Sequence, residues 1–134
     1  MYYNYADKSL CGPWIARFRQ VWDGRKLAIV EGAGTHNGVG NNLLDNATDI
    51  QRIICPPTNA WQAYDRILDA CLEMEKDRLF LLSLGSTAKA LASDLVDRGY
   101  RVIDIGNLDM EYEWFLHGAE GKEEIPKHHI IGEE

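Results

Sequence analysis

Residues 78–106, RLFLLSLGSTAKALASDLVDRGYRVIDIG, hold two short apolar runs separated by a segment with helical spacing. The runs at 78–85 and 100–106 are bounded by turn residues, as expected for buried strands of a parallel sheet. Between them, residues 86–99 begin with Ser86 and end at Gly99, a common helix stop. This segment therefore predicts a strand–helix–strand unit with a right-handed crossover.

The same alternation extends through the rest of the chain. KLAIVEG (26–32) and IQRIICPP (50–57) predict two more strands, and residues 13–22 and 59–76 predict helices, the second capped by Asn59. The fold class is therefore α/β: a Rossmann-like, doubly wound, mainly parallel sheet of about four strands with helices on both faces. Ligands bind such sheets beyond the carboxyl ends of the strands, so we expect those ends to converge.

Composition restricts the class of protein. The 134 residues suit one domain, 1–134, in which 120–134 form a polar tail. The net charge of -7 argues against nonspecific nucleic-acid binding, which needs a basic surface. No apolar run approaches the roughly 20 residues that span a bilayer, and the first residues lack the pattern of a signal peptide.

The cysteines indicate a reducing compartment. The sequence has three cysteines, an odd number, and they are far apart: Cys11, Cys55 and Cys71. This pattern favours buried thiols over a disulfide framework or a zinc site, so we expect a cytoplasmic protein.

A glycine-rich loop follows the first predicted strand. EGAGTHNGVGNNLLDNA (31–47) lets the backbone approach a ligand closely, but it contains no lysine and so is not a P-loop. A phosphate or nucleotide cradle and an ordinary long turn both fit the loop. Asn41, Asn42 and Asn46 suit either contacts to a nucleoside or sugar, or turn formation.

The third strand leads into a second glycine junction, LGSTAKA (84–90). The hydroxyl groups of Ser86 and Thr87, together with the first amides of the helix, suit a small anion site. A simple helix cap explains the same residues.

The fourth strand leads into an acidic segment, DIGNLDMEYEW (104–114). In a helix Asp109 and Glu113 share a face and Glu111 turns away, whereas in an extended segment all three lie on one side. A carboxylate pair can hold Mg²⁺ or Mn²⁺ against a diphosphate, and a single carboxylate can deprotonate an acceptor hydroxyl. An acidic helix start stabilised by the helix dipole is the structural alternative.

Together these segments resemble a known family. Residues 30–65 and 81–119 are similar to the GT-D-type glycosyltransferases of bacterial surface-glycan and adhesin glycosylation, first described as a domain of unknown function. The similarity rests on the motifs E-G-x-x-T-x-x-G-V-G-N, N-A-x-x-x-Y-D, L-G-x-T-A and D-I-G-x-x-D-x-E-Y-E-W. It covers roughly residues 15–120.

The resemblance implies transfer of a hexose, often glucose, from a nucleotide diphosphate sugar such as UDP-glucose to a glycan or glycoprotein acceptor. The expected catalytic residues are Asp109, Glu111, Glu113 and Glu31. The expected donor-binding residues are Gly32, Thr35, Gly38, Gly40, Asn41, Asn42, Gly85 and Thr87. We expect a divalent cation, Mn²⁺ or Mg²⁺, at Asp109 and Glu111.

The chain departs from the family pattern in two respects. It lacks an R-F-G-D-G-E-like segment of the family's N-terminal portion, so it looks like the C-terminal half of the usual domain. His36 and Asn42 also stand where a basic and often an acidic residue are expected. The alternative function is therefore a catalytically inactive, Rossmann-like nucleotide-binding or partner module that needs a second chain. In either case we expect a homo-oligomer or a partner chain, because half a domain exposes a sheet edge or an apolar face.

Overall fold

The computed structural model describes residues 8–57 and 59–118, so the predicted polar tail at 120–134 lies outside the described residues. Besides two short 3-10 helices, the described residues contain four α-helices and four strands. In chain order they are α1 (Cys11–Trp22), β1 (Lys26–Gly32), β2 (Asp49–Cys55), α2 (Tyr64–Leu72), β3 (Leu79–Ser83), α3 (Thr87–Asp97), β4 (Arg101–Asp104) and α4 (Leu108–His117). No helix in these ranges is long and apolar enough to cross a membrane.

The strands form one parallel sheet in the order β2-β1-β3-β4, which confirms the predicted fold class. From β1 the chain moves outward to β2, and it then crosses back over β1 to reach β3 and β4. Successive strands are therefore added on one side of β1 and then on the other, and the order reverses between β1 and β3. In open α/β sheets, such a switch point leaves a crevice where ligands bind.

Both faces of the central strands β1 and β3 are covered, whereas β2 and β4 are largely exposed. On one face α2 and α3 pack against side chains such as Val30, Phe80 and Leu82, which are all fully buried. On the other face α1, α4 and the β1–β2 loop cover Ile29 and Leu81. Burial on both faces explains why β1 and β3 are apolar along almost their whole length.

The helix before β3 differs from its prediction at both ends. Its first turn, Ala60–Ala63, is a 3-10 helix, and the α-helix proper runs only from Tyr64 to Leu72. Asn59 makes no side-chain cap, because its backbone is left-handed with φ of 56° after the two prolines. Asn59 therefore occupies the predicted N-cap position, but its side chain makes no capping hydrogen bond.

The sequence left two interpretations for the starts of α3 and α4, and the structure defines the backbone at both. Ser86 stands at the N-cap position of α3 with helical backbone angles, but its side chain makes no capping hydrogen bond. Residues Leu108–His117 are helical, which selects the geometry in which Asp109 and Glu113 share a buried face. Glu111 is only half-buried, as expected for a residue turned away from that face.

Replacing Leu82, which is fully buried in the central strand β3, should weaken the core. We expect Leu82→Ala to lower the free energy of unfolding by about 2–5 kcal/mol, because it removes buried methyl groups and leaves a cavity. Val96→Ala is the matched control, since Val96 is 57% exposed, and it should change stability by about 0.5 kcal/mol at most. Urea denaturation of the three proteins measures both effects, and equal loss in the two variants would contradict this packing.

Candidate functional site

A cleft of about 700 Å³ opens beyond the carboxyl ends of the strands. Its position matches the switch point between β1 and β3, and all four strand ends contribute to it. The described residues that line it are Gly32, Thr35, Asn37, Pro56, Pro57, Asn59, Ala60, Trp61, Ser83, Leu84, Gly85, Ser86, Thr87, Asp104, Gly106, Asn107 and Met110. The predicted convergence of the strand ends is therefore confirmed.

The turn between β3 and α3 forms the middle of the cleft. Gly85 has a positive φ of 60°, a conformation that side chains with a Cβ rarely adopt. It lets the chain turn sharply, so that the first residues of the 11-residue helix α3 begin at the cleft. The start of a helix attracts anions through its backbone dipoles, and buried Thr87 lines the cleft at this point, where the N–H of Ala88 donates to the Gly85 carbonyl at 3.2 Å.

Glu31 fastens the wall of the cleft that follows β1. Its side chain is 1% exposed, and its Oε1 accepts hydrogen bonds from the backbone N–H of Asn37 at 2.8 Å and from Asn37 Nδ2 at 2.9 Å. Arg52 on β2 donates to Glu31 Oε2 at 2.6 Å and to the Asn37 carbonyl at 2.8 Å. Because Asn37 lines the cleft, Glu31 and Arg52 position the wall without being among its lining residues.

The acidic helix α4 fastens the far end of the same loop. Asp109 is fully buried, and its Oδ1 accepts from the backbone N–H of Gly38 at 2.7 Å and from Asn41 Nδ2 at 3.0 Å. Asn41 Nδ2 also donates to Glu113 Oε1 at 2.8 Å. The glycine loop and the acidic helix, which are distant in sequence, are therefore in direct contact.

The loop has little room for larger residues at this contact. Gly38 has φ of 75°, and a Cβ added there would lie 2.7 Å from Leu44 Cδ1. Nearby, the Tyr112 hydroxyl donates to Asn42 Oδ1. Glycine at position 38 thus lets the backbone pack closely against Leu44 of the same loop.

The predicted site residues divide into two groups. Gly32, Thr35, Gly85 and Thr87 line the cleft. Most of the other predicted residues belong to the glycine loop or contact it. The described lining of the cleft does not include Gly38, Gly40, Asn41, Asn42, Glu31, Asp109, Glu111 or Glu113. The catalytic roles assigned to the four acidic residues remain predictions.

Several cleft residues were missed by the sequence analysis. Asp104 ends β4 with an exposed carboxylate, whose Oδ1 accepts from the Gly106 N–H at 3.0 Å. Trp61 was assigned to a regular helix, although the preceding prolines were a signal for an irregular start. Position at a strand end was the available signal for Asp104, whereas Asp109, Glu111 and Glu113 follow in α4.

The described acidic side chains differ in their suitability for a cation. Among the described residues, no group of three or more His, Cys, Asp and Glu side chains is placed to hold a metal ion. Asp109 Oδ1 is already engaged by two donors, whereas Asp104 is the one acidic residue among the described cleft lining. Mg²⁺ is commonly held by one or two carboxylates and substrate phosphates, so Asp104 fits such a role when a diphosphate is bound.

Cys55 lies at the end of β2 beside the cleft, but its thiol is not poised for catalysis. Burial, followed by the nearby negative charge of Glu31, raises the pKa of Cys55 to about 11. Burial, followed by Cys55, raises the pKa of Cys71 to about 12. Both thiols are buried and form no disulfide, as the sequence predicted, and both stay protonated near neutral pH.

The doubly wound sheet and the cleft at its switch point define a Rossmann-like ligand-binding domain. A family model described as the glycosyltransferase GT-D fold matches residues 1–133, so the chain belongs to this family. Both the recognised family and its fold are thereby confirmed.

Curated relatives and solved structures agree with this assignment. The chain is 44% identical over 128 residues to a probable glycosyl transferase, Gly, of Streptococcus gordonii, and 41% identical over 131 residues to the glycosyltransferase GlyD of Streptococcus pneumoniae serotype 4. These alignments cover 96% of this chain but 19% and 16% of the relatives. The chain therefore spans less than a fifth of the length of these relatives.

Among solved structures, the chain resembles domain of unknown function 1792, described as having a distinct glycosyltransferase fold, with a TM-score of 0.88 and 44% identity. It also resembles a glycosyltransferase from Streptococcus sanguinis, with a TM-score of 0.87 and 46% identity. Each match covers 90% of this chain, but 43% of the first structure and 45% of the second. The chain thus spans less than half of these solved structures.

Breaking the buried ion pair should loosen the cleft wall. We expect Glu31→Gln to lower the free energy of unfolding by about 1–3 kcal/mol, because Arg52 and Asn37 lose a charged acceptor. In a double-mutant cycle with Arg52→Met, the two positions should couple by about 1 kcal/mol or more. The exposed pair Lys26–Asp77, 3.5 Å apart, is the control and should couple by about 0.5 kcal/mol or less. Equal coupling in the two cycles would contradict the fastening role of Glu31.

The raised pKa values of the cysteines predict slow alkylation. At pH 8 the thiols of Cys55 and Cys71 are almost entirely protonated, since their pKa values are about 11 and about 12, and only the thiolate reacts. Iodoacetamide should therefore label both residues slowly in the folded protein and rapidly after denaturation. Peptide mass spectrometry measures this difference, and fast labelling of native Cys55 at pH 8 would disprove its buried, protonated state.

Proposed function

We propose that this chain binds the donor of a glycosyl transfer reaction, a nucleotide diphosphate sugar such as UDP-glucose, and passes its hexose to a glycan or glycoprotein acceptor. The observation that carries the proposal is the cleft beyond β1 and β3, lined by two glycine turns and the start of α3. Membership in the GT-D family and the names of the relatives support the reaction class. The unpaired cysteines favour a reducing compartment, which fits a cytoplasmic protein.

The diphosphate is assigned to the middle of the cleft. The backbone approaches the ligand at Gly32 and Gly85, and the hydroxyls of Thr35 and Thr87 lie beside these turns. N–H groups at the start of α3 and hydroxyl donors together suit the negative charge that grows on the leaving diphosphate. Their fixed orientation stabilises that charge without reorganisation during the reaction.

A divalent cation, Mn²⁺ or Mg²⁺, is assigned to Asp104 and the phosphate oxygens. Bound there, it would neutralise the leaving diphosphate. Asp104 suits this role better than Asp109, because Asp104 is exposed at the cleft and Asp109 is fully buried against Gly38 and Asn41. Glu111, the other residue of the predicted pair, is half-buried on α4.

A second candidate function is a nucleotide-binding module that contributes to catalysis only with another chain. The specific observation in its favour is that the chain covers 43% and 45% of the solved structures it matches. In this case the cleft binds UDP, but transfer appears only when a second polypeptide is added. Light scattering coupled to size exclusion tests the related expectation of a homo-oligomer.

Purified protein should bind UDP more tightly with Mn²⁺ than without it, and should release UDP from UDP-glucose when an acceptor is present. We expect Asp104→Asn to weaken UDP binding about 10-fold or more in the presence of Mn²⁺, because a charged ligand is lost. Without Mn²⁺ the same variant should bind UDP almost as the wild type does. Calorimetry measures binding, and an enzyme-coupled UDP assay measures transfer.

The control for this experiment is Asp97→Asn, which removes an exposed carboxylate at the end of α3. It should leave the binding of UDP unchanged. If the wild-type protein gives no heat with millimolar UDP and releases no UDP, the proposal is refuted. If it binds UDP but transfers no sugar until a second chain is added, the module is the correct function.

A further inference from the structure

Trp61 is an exposed aromatic side chain at the cleft. It lies in the 3-10 turn Ala60–Ala63, lines the cleft and is 61% exposed. Tryptophan is usually buried to a large extent, because leaving its large apolar surface in water is unfavourable. An exposed indole in the wall of a ligand cleft is placed to contact a bound ligand, unlike Trp14, which is 51% exposed but does not line the cleft.

The surroundings of Trp61 hold it in one place. Its ring packs against Tyr64, with ring centroids 4.9 Å apart and planes inclined at 37°. The Tyr64 hydroxyl in turn donates to Asp94 on α3. On the other side, Pro56 and Pro57 restrict the backbone that leads from β2 into the turn. The indole is thus a supported surface rather than a freely rotating side chain.

The cleft changes in chemistry from one edge of the sheet to the other. The part that follows β2 is uncharged and, apart from Asn59, apolar: it is formed by Pro56, Pro57, Asn59, Ala60 and Trp61. The middle part, after β3, holds the amide and hydroxyl donors of the α3 start. The part that follows β4 holds the polar side chains of Asp104 and Asn107, with Met110 beside them in the chain.

This order corresponds to the three parts of a nucleotide sugar. Neighbouring strands lie about 4.8 Å apart, so three strand spacings separate the ends of β2 and β4 by about 14 Å. A planar base suits the apolar end, a diphosphate suits the donors in the middle, and a sugar with many hydroxyls suits the polar end. Aromatic side chains stack on nucleobases because both present flat π-faces.

We propose that Trp61 is the stacking platform for the nucleobase of the donor, with Tyr64 as the residue that positions it. This inference rests on the proposed function, since it assumes that a nucleotide occupies the cleft. It assigns the nucleotide a direction, with the base at the β2 edge and the sugar at the β4 edge. The acceptor glycan would then approach from the side of Asp104 and Asn107.

The test compares ligands that contain and lack a base. Calorimetric titrations with UDP, uridine and inorganic pyrophosphate are carried out on wild-type protein, Trp61→Ala and Trp61→Phe. Removing the ring should weaken binding of UDP and uridine about 10-fold or more and leave pyrophosphate binding unchanged, whereas phenylalanine should retain most of the affinity. Trp14→Ala is the matched control, because Trp14 is 51% exposed on α1 and is not among the cleft-lining residues.

Fluorescence supplies a readout that a merely structural role would not change. Stacking of uridine on an indole should quench tryptophan emission, and this quenching should be lost in Trp61→Phe but kept in Trp14→Phe. If wild-type protein and Trp61→Ala bind UDP equally well, the stacking role of Trp61 is refuted while the proposed function stands. Wild-type protein that binds neither UDP nor uridine refutes both. Loss of pyrophosphate and uridine binding together in Trp61→Ala would also overturn the assignment, because it would indicate a collapsed cleft.

Discussion

Buried carboxylates hold the β1–β2 connection in place, and the geometry of the cleft depends on them. Parallel strands are usually joined through a helix. Residues 33–48 connect the neighbouring strands β1 and β2 without an α-helix, so their N–H groups lack regular helical partners. Glu31 accepts the N–H of Asn37, and Asp109 accepts the N–H of Gly38. Two adjacent peptide groups are thus tied to opposite neighbours, one to β1 and the other to α4. This double attachment sets the position of the cleft wall that follows β1.

The same contacts separate the acidic residues by role. Charge that is buried must be paired or hydrogen-bonded, and Glu31 meets this requirement through Arg52 and Asn37. Asp109 and Glu113 meet on Asn41, so their oxygens bind a loop rather than face the cleft. Asp104 differs, since its exposed carboxylate at the end of β4 lines the cleft. An acidic segment that looks uniform in sequence therefore contains residues with structural contacts and a residue available to a ligand.

The predictable part of the fold is the part that depends on burial. Strands β1 and β3 are covered on both faces, so their apolar runs defined them without any long-range information. The glycine turns at Gly32 and Gly85 could be placed at the cleft for a similar reason, because strand ends converge in a parallel sheet. The contact of Gly38 with Asp109 spans 71 positions, and no local pattern predicts it. Which side chain of α4 binds the loop depends on where that helix begins, since each residue turns a helix by about 100°. A shift of one position would exchange the residue that binds the loop for its neighbour, and local composition does not distinguish these starts.

Donor binding and sugar transfer place different demands on this structure. Binding requires a crevice, anion-attracting groups and a surface for the base, and the ends of β1, β2 and β3 supply these features within the described residues. Transfer further requires a group that accepts the proton of the acceptor hydroxyl. Glu31 is poorly suited to that task, because its two oxygens already accept from Arg52 and Asn37 and it is almost completely buried.

Asp104 lies at the end of the cleft assigned to the sugar, so the cation and the acceptor hydroxyl would both depend on the same carboxylate. One carboxylate cannot ligate a cation tightly and act as a strong base at the same time, because the cation lowers its affinity for a proton. The chemistry of acceptor activation is therefore the feature that separates a complete transferase from a donor-binding module, and affinity for the nucleotide alone does not distinguish them.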